Sequence, residues 1–214
     1  LWLAGGELPA GDLLPSMTLQ TGKGPGFTQF LQTSVDRGGE AITAVGFMGH
    51  SVLVFQETGI HAFEADGPSN LGQGGFDAPR KIVADTGAVL GSPAVLTTAG
   101  ILYKAQGTYQ LLATNFQVQD VGDPVRPLAE SAVLSGVVAV PKDAEVRFYH
   151  ANAPAAVFNY RTGEWTTFTG LQCSGATRGA DGYARLAMPD GRWLRESPGQ
   201  WSDAGQGYTG HLRT

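Results

Sequence analysis

Apolar positions along this chain come in short runs or alternate with polar ones, and the runs stop at glycine, aspartate, asparagine or proline. That pattern marks short β-strands bounded by tight turns. Helical spacing occurs only around 27–33 and 128–134, where strand or loop fits equally well. From residue 42 onward the strands recur in one format. In 42–66, a strand at 42–47 turns through Met48-Gly49-His50 into 51–55, and Glu57-Thr58-Gly59 leads on to 60–63. In 92–115, strand 94–97 turns at Ala99-Gly100 into 101–104, and Gln106-Gly107 leads to 108–112. Segment 136–165 turns at Lys142-Asp143 between strands 137–140 and 145–149, then continues with 155–160. Segment 174–201 turns at Asp181-Gly182 and at Asp190-Gly191, on either side of strand 183–188. The last two segments end alike, in Gly163-Glu164-Trp165 and Gly199-Gln200-Trp201.

An offset of 48 residues sets Leu53, Val54, Phe55, Gly59 and Phe63 on Ile101, Leu102, Tyr103, Gly107 and Leu111. The first turns, at Gly49, Gly100, Asp143 and Asp181, follow one another at 51, 43 and 38 residues. Repeats of roughly 40–50 residues with several strands each match the blades of a β-propeller, in which small sheets bury their faces against their neighbours. The expected fold is all-β, a propeller or partial propeller of about four to five blades. Residues 1–41 offer strands at 1–4 and 13–21 that complete an earlier blade or close the ring, and 202–214 form a C-terminal segment. A β-sandwich with hairpins of similar size fits the same strands.

The middle strand of each segment sets the expected core. Leu53, Phe55, Leu102, Tyr103, Phe148 and Leu186 should lie between sheets, while Arg147 and Arg185 should point to a wetter side. Trp165 and Trp201 occupy the same place in two repeats and should pack between blades; Trp193, just after a turn, should be exposed. Gly49, Gly59, Gly100, Gly107, Asp143, Gly182 and Gly191 punctuate the turns, with Gly59 and Gly107 expected at positive φ.

Composition narrows the function classes. Of 214 residues, 15% are charged and 42% hydrophobic, a balance that excludes a disordered chain. The net charge of −5 argues against a surface that grips nucleic acid. Cys173, alone, forms no internal disulfide, and no apolar run reaches the ~20 residues of a membrane helix. A start at Leu1 without a basic lead-in reads as a piece or processed product of a longer protein.

Candidate chemistry is sparse. His50, His61, His150 and His211 are scattered. Reflection about the 57–59 turn sets His61 opposite Phe55 rather than near His50, and no cysteine or carboxylate stands at ligand spacing. Solvated or turn histidines are expected, with no metal and no cofactor. Asp120 and Asp123, or Asp143 and Glu145, offer carboxylate pairs of the kind glycoside hydrolysis requires, but Asp143 sits in a turn where its side chain bonds backbone. The segment Asp203-Ala-Gly205-Gln-Gly207-Tyr208 is a single fragment of the Ser-x-Asp-x-Gly-x-Thr-Trp box that carbohydrate-cleaving propellers repeat. It lacks the Ser, the Thr and the Trp. Gly22-Lys23-Gly24-Pro25-Gly26 lacks the Gly-Lys-Ser/Thr ending of a phosphate loop. No enzyme is expected.

Two resemblances add to this. The stretch 157–165, with Tyr160 followed by Thr162-Gly163-Glu164-Trp165, resembles the ending of kelch-type blades. More broadly, the succession of 39–63, Asp66-Gly67-Pro68, Asp85-Thr86-Gly87, 98–103, Gln106-Gly107-Thr108-Tyr109 and Val121-Gly122-Asp123-Pro124 is similar to tail proteins of short-tailed bacteriophages, of the nozzle or stabilisation type. That resemblance implies a non-enzymatic propeller in the virion tail, made in the host cytoplasm. Its copies would ring the channel through which genome DNA leaves, a homo-oligomer that also touches other tail or portal proteins, without membrane insertion. An acidic wall would let DNA pass without binding it specifically. A carbohydrate-binding or carbohydrate-cleaving propeller and a kelch- or WD-like scaffold are the rival readings.

Overall fold

A computed structural model describes residues 2–4, 8–16, 32–35, 39–64 and 76–196, together with the pairs 202–203 and 206–207. Alternating apolar residues and turn glycines fold these segments into antiparallel hairpins, which join into small sheets. Strands β1 (Trp2–Ala4), β2 (Asp12–Pro15) and β3 (Thr33–Ser34) form blade 1. Blade 2 holds β4 (Ala44–Met48), β5 (Ser51–Phe55), β6 (Gly59–Glu64) and β7 (Arg80–Ala84). Blade 3 holds β8 (Val95–Thr97), β9 (Gly100–Ala105), β10 (Thr108–Ala113) and β11 (Val118–Asp120). One short helix, α1 (Arg126–Ser131), leads into blade 4, which holds β12 (Leu134–Val140), β13 (Glu145–His150), β14 (Ala155–Asn159) and β15 (Glu164–Phe168). Blade 5 holds β16 (Gly175–Arg178), β17 (Ala184–Ala187) and β18 (Trp193–Arg195), and a two-stranded ladder pairs β19 (Ser202–Asp203) with β20 (Gln206–Gly207).

The chain is thus all-β and propeller-like. In blades 2 to 4 the strands bond in chain order, and the first strands β8, β12 and β16 meet around an open recess of about 340 Å³. Later strands step outward from that centre. The fourth strands β7 and β11 lie beyond the segments 42–66 and 92–115. They are largely exposed or half-buried, so they lack the apolar runs by which the inner strands announce themselves.

Period-two alternation decides which neighbour each side chain meets. Leu53, Phe55, Ile60 and Ala62 of blade 2 pack on Ile101, Tyr103 and Leu112 of blade 3. Val52, Val54 and Phe63 turn the other way, onto Leu13 and Val35 of blade 1. Leu102, Tyr109 and Leu111 of blade 3 pack on Val146, Phe148, Ala156 and Phe158 of blade 4. Val138, Val140, Tyr149 and Ala155 meet Ala184 and Leu186 of blade 5, with Cys173 buried beside them. Two apolar faces per middle strand are what stacking between two sheets demands.

These packing partners correct the repeat alignment. Leu53 faces the following blade, and so does Leu102, 49 positions on; Ile101, the partner under an offset of 48, faces the preceding blade. A slip of one residue turns every side chain to the opposite face. The offset of 49 holds at the first hairpin, where Met48 pairs with Ser51 and Thr97 with Gly100, and again at the second. The Gln56 N–H donates to the Gly59 carbonyl at 2.9 Å, which leaves Glu57-Thr58 as the turn, whereas Ala105 pairs with Thr108 and leaves Gln106-Gly107. Thr58, not Gly59, is therefore the counterpart of Gly107. Gly107 has φ 76°, but Gly59 opens β6 and is not in the left-handed region, so the expectation for Gly59 fails. By the same slip, His61 stands opposite Val54 rather than Phe55.

Candidate functional site

The polar and aromatic side chains that carry chemistry gather at two seams, between blades 3 and 4 and between blades 4 and 5. At the first, Tyr109 reaches across from β10. Its ring lies 4.4 Å from that of Phe148 and 5.1 Å from that of Trp165, and Trp165 lies 4.9 Å from Phe158. The indole Nε1 of Trp165 donates to the Val121 carbonyl at 2.5 Å, so Trp165 does pack between blades. Trp201 lies outside the described residues.

Deeper in this seam the Tyr109 hydroxyl is 2.8 Å from His150 Nε2, and His150 Nδ1 is 2.6 Å from the Pro154 carbonyl. A carbonyl can only accept, so Nδ1 carries the proton, Nε2 accepts, and the tyrosine donates. His150 is fully buried; burial lowers its pKa and the nearby Lys104 charge adds to that. Lys104 Nζ donates to the Ala132 carbonyl at 2.8 Å, and its backbone N–H donates to Ser92 Oγ at 2.9 Å. Burial lowers the lysine pKa and raises that of the Tyr109 hydroxyl. With both ring nitrogens engaged, His150 is a strut and not a base. The expectation of solvated histidines is corrected for His150 and for His61, also buried, because both stand on strands covered by neighbouring blades. His50 is exposed in its turn, and His211 lies outside the described residues.

At the second seam, Arg147 overturns its expectation. It is buried on β13, with Nη2 2.9 Å from Glu145 and 3.5 Å from Asp143, and Nη1 3.0 Å from Glu196 on the far side of the seam. The physical reason is that a middle strand between two sheets has no wet face. Burial works against the guanidinium charge, but the surrounding carboxylates outweigh it and hold the arginine more firmly protonated than usual. Arg185 stays about half exposed beside Asp181, as expected.

Neither carboxylate pair is arranged for acid–base work. Asp120 and Asp123 share Arg126. Burial pushes Asp120 up, but bonds from the Thr108 hydroxyl, the Gly122 N–H and Arg126 outweigh it and hold its carboxyl below the usual range. Asp143 and Glu145 share Arg147. A general acid needs a raised pKa, the opposite of what holds at Asp120. Among the described residues no three histidines, cysteines or carboxylates form a group that could hold a metal ion.

The remaining marked residues are structural in place. Gly49, Gly182 and Gly191 stand in turns at positive φ. Gly100 begins β9 just after the Thr98-Ala99 turn, and a Cβ there would stand 2.2 Å from the Leu112 carbonyl oxygen. Asp143 lies in the turn between β12 and β13, bonding the Val140 carbonyl through its backbone N–H. Leu53, Phe55, Leu102, Tyr103, Phe148 and Leu186 are buried, and Trp193 is exposed. The pattern of single residues gave no hint of Lys104 and Tyr109 as seam residues. Gly87 and Gly122, whose Cβ atoms would stand 1.9 Å from the Gln56 carbonyl oxygen and 2.4 Å from the Tyr109 nitrogen, lie in the Asp-Thr-Gly and Val-Gly-Asp-Pro segments of the resemblance.

No family model matches the chain, and no curated protein matches it. Solved structures do. The structure described as YCF48 bound to D1 peptide is 12% identical over 93% of this chain and 60% of its own, with a TM-score of 0.57. The computationally designed Ika8 protein is 14% identical over 87% of this chain and 55% of its own, with a TM-score of 0.53. The Pan2 WD40 domain of Neurospora crassa is 11% identical over 78% of this chain and 49% of its own, with a TM-score of 0.50. The chain therefore spans about half to three fifths of the length of these structures. At such identities the likeness carries the fold alone, and that fold is a β-propeller.

Proposed function

We propose that this propeller is a non-enzymatic structural component of a bacteriophage tail. Copies of it pack in a ring, against other tail or portal proteins, around the channel through which genome DNA leaves the virion. One observation carries the reading. The distinctive residues of the segments that resemble such tail proteins are engaged in packing strands within a blade or in tying one blade to the next. Gly87 and Gly100 let backbones meet closely, and Gly122 does the same against Tyr109. Thr86 Oγ1 donates to Gln110 Oε1 at 2.8 Å, tying the strand-to-blade connection to blade 3. Val121 receives the Trp165 indole. Residues kept for cohesion rather than for a pocket suit a part whose work is shape. The acidic balance suits a wall past which phosphate slides without being held.

A WD-like scaffold is the second reading, favoured by the likeness to a WD40 domain and to a structure whose name includes a bound peptide. Light scattering and negative-stain imaging of the purified protein separate the two. Rings with a central opening, and no turnover on sialosides or bacterial polysaccharides, are expected. A strict monomer would overturn the tail reading. So would polysaccharide cleavage abolished by a single Asp or Glu substitution.

A further inference from the structure

We propose that the recess among the first strands binds the apolar, extended C-terminal end of a partner polypeptide, with Arg178 holding the terminal carboxylate. Such a site would serve a tail component and a scaffold alike, so it stands apart from the choice between them. The inner strands build it. β4, β8, β12 and β16 each stand at the end of their sheet and bond a neighbour on one side only. The other edge of such a strand carries main-chain N–H and C=O groups that remain able to pair. Over 95–97, 137–139 and 176–178 those groups make no main-chain bond beyond their own sheet among the described residues. Three open edges therefore meet around one recess. At about 340 Å³ it has no room for a second sheet, but it admits the end of a single extended chain.

The recess is apolar and holds one cation. Val95, Leu96, Val137, Ala139 and Ala176 form its walls, and Leu96 is 55% exposed. β4, β8, β12 and β16 carry a single charged residue among them, Arg178. Its strand partner Ala184 packs toward blade 4, and residues directly opposite on paired strands share a face, so Arg178 stands on the β12 side of β16. It lines the recess, is exposed, and has no ion pair among the described residues. No carboxylate lines the recess. The acids of blade 5 are taken up elsewhere: Asp181 by Arg185 and Arg195, Asp190 by Arg192, and Glu196 by Arg147.

These three features choose the occupant. Open strand edges call for main-chain donors and acceptors, which a peptide has and a fatty acid lacks. Apolar walls call for aliphatic side chains. A lone guanidinium calls for one carboxylate, which it can grip through two parallel N–H bonds. A chain end supplies that charge at the tip of the strand, without an acidic side chain among the apolar walls. Nucleic acid, with a charge on every nucleotide, does not fit a recess with one cation. An apolar C-terminus meets all three demands.

Amide chemical shifts of the isotope-labelled protein provide the test. The probe is a pool of hexapeptides with free C-termini whose last three residues are drawn from Val, Ile, Leu and Ala. The same pool amidated, and octanoate, are the comparisons. The free pool is expected to shift the amides of Leu96, Val138 and Thr177 and to leave those of Leu90 and Trp193 in place. Amidation, or Arg178→Glu, is expected to weaken binding about tenfold or more, as loss of a charged hydrogen bond should. Arg161→Glu, exposed outside the recess, is expected to bind as the unaltered protein does. Circular dichroism verifies that both variants fold, and the amidated pool removes the same contact with no variant at all. No shift at millimolar peptide would overturn the site. So would shifts outside the recess, an amidated pool that binds as tightly as the free one, or a folded Arg178→Glu that binds undiminished. Octanoate binding as tightly as the peptides would overturn the peptide assignment, since the strand edges would then play no part. None of these outcomes turns on whether the protein forms rings.

Discussion

The seam between blades 3 and 4 is closed by aromatic rings and neutral hydrogen bonds, while the seam between blades 4 and 5 is closed largely by an arginine among carboxylates. At the first, Tyr109, Phe148, Phe158 and Trp165 stack on one another and the Tyr109–His150–Pro154 chain satisfies the buried hydroxyl and both imidazole nitrogens. At the second, the apolar contribution is small: Ala184 and Leu186 of blade 5 against Val138, Val140 and Tyr149. Arg147 then bridges to Glu196, and Lys142 lies over the ring of Tyr183. Aromatic burial is indifferent to salt, whereas partly exposed ion pairs are screened. The same stacking problem is thus solved in two ways in one chain, and the two solutions should fail under different conditions.

The largest effect should come from the aromatic seam. Phe148→Ala removes a ring packed on Tyr109 and beside Trp165 and should cost ~3–5 kcal/mol in urea unfolding. A loss under about 1 kcal/mol would mean that the rings are not packed as described. Arg147→Ala should cost ~2–3 kcal/mol, below the range for a fully buried pair because its carboxylate partners are partly exposed. Unlike the Phe148 loss, it should shrink in 1 M salt. Arg185→Ala, by contrast, should fall within about 0.5 kcal/mol of the unaltered protein.

Acid should single out the first seam by another route. The folded-state pKa of His150 is lowered, so the unfolded chain binds the proton more readily. The stability His150 contributes is present above the ordinary imidazole value of about 6.5 and is lost as pH falls through the lowered one. The thermal midpoint should therefore drop as pH falls below about 6.5, and His150→Gln should flatten that drop. An unchanged slope in the variant would remove His150 from the explanation.

The smallest expected effect separates two glycines. Gly107→Ala should cost about 1 kcal/mol because of its left-handed φ. At Gly59 the obstacle is chiefly the far end of the Lys81 side chain, which can swing aside, so Gly59→Ala should cost less. Equal losses at both would restore the offset of 48.

What the sequence disclosed follows the same physics. Middle strands covered on both faces, such as 52–55 and 101–103, write themselves as unbroken apolar runs. Their burial and the blade format were therefore readable. β7 and β11 are exposed over much of their length and carry no such run, so they were missed. The offset of one residue was invisible because an apolar run looks alike from either face. Only the geometry of the hairpin turns sets it. Arg147 and His150 misled for a shared reason. A polar residue on a strand reads as solvent-facing unless the partner that satisfies it is known, and Glu196 and Tyr109 lie 49 and 41 positions away. The seam residues of the candidate site were therefore legible only where a glycine or tryptophan marked a close approach.

Native-state hydrogen exchange at low and high salt tests the two-seam account most directly, read amide by amide across β9, β13 and β17. The account predicts that the amides of Leu102 and Phe148 exchange only with global unfolding at either salt. Those of β17 in blade 5 should exchange through a cheaper opening that becomes cheaper still at 1 M salt. Equal protection of β17 and β13, unmoved by salt, would contradict it.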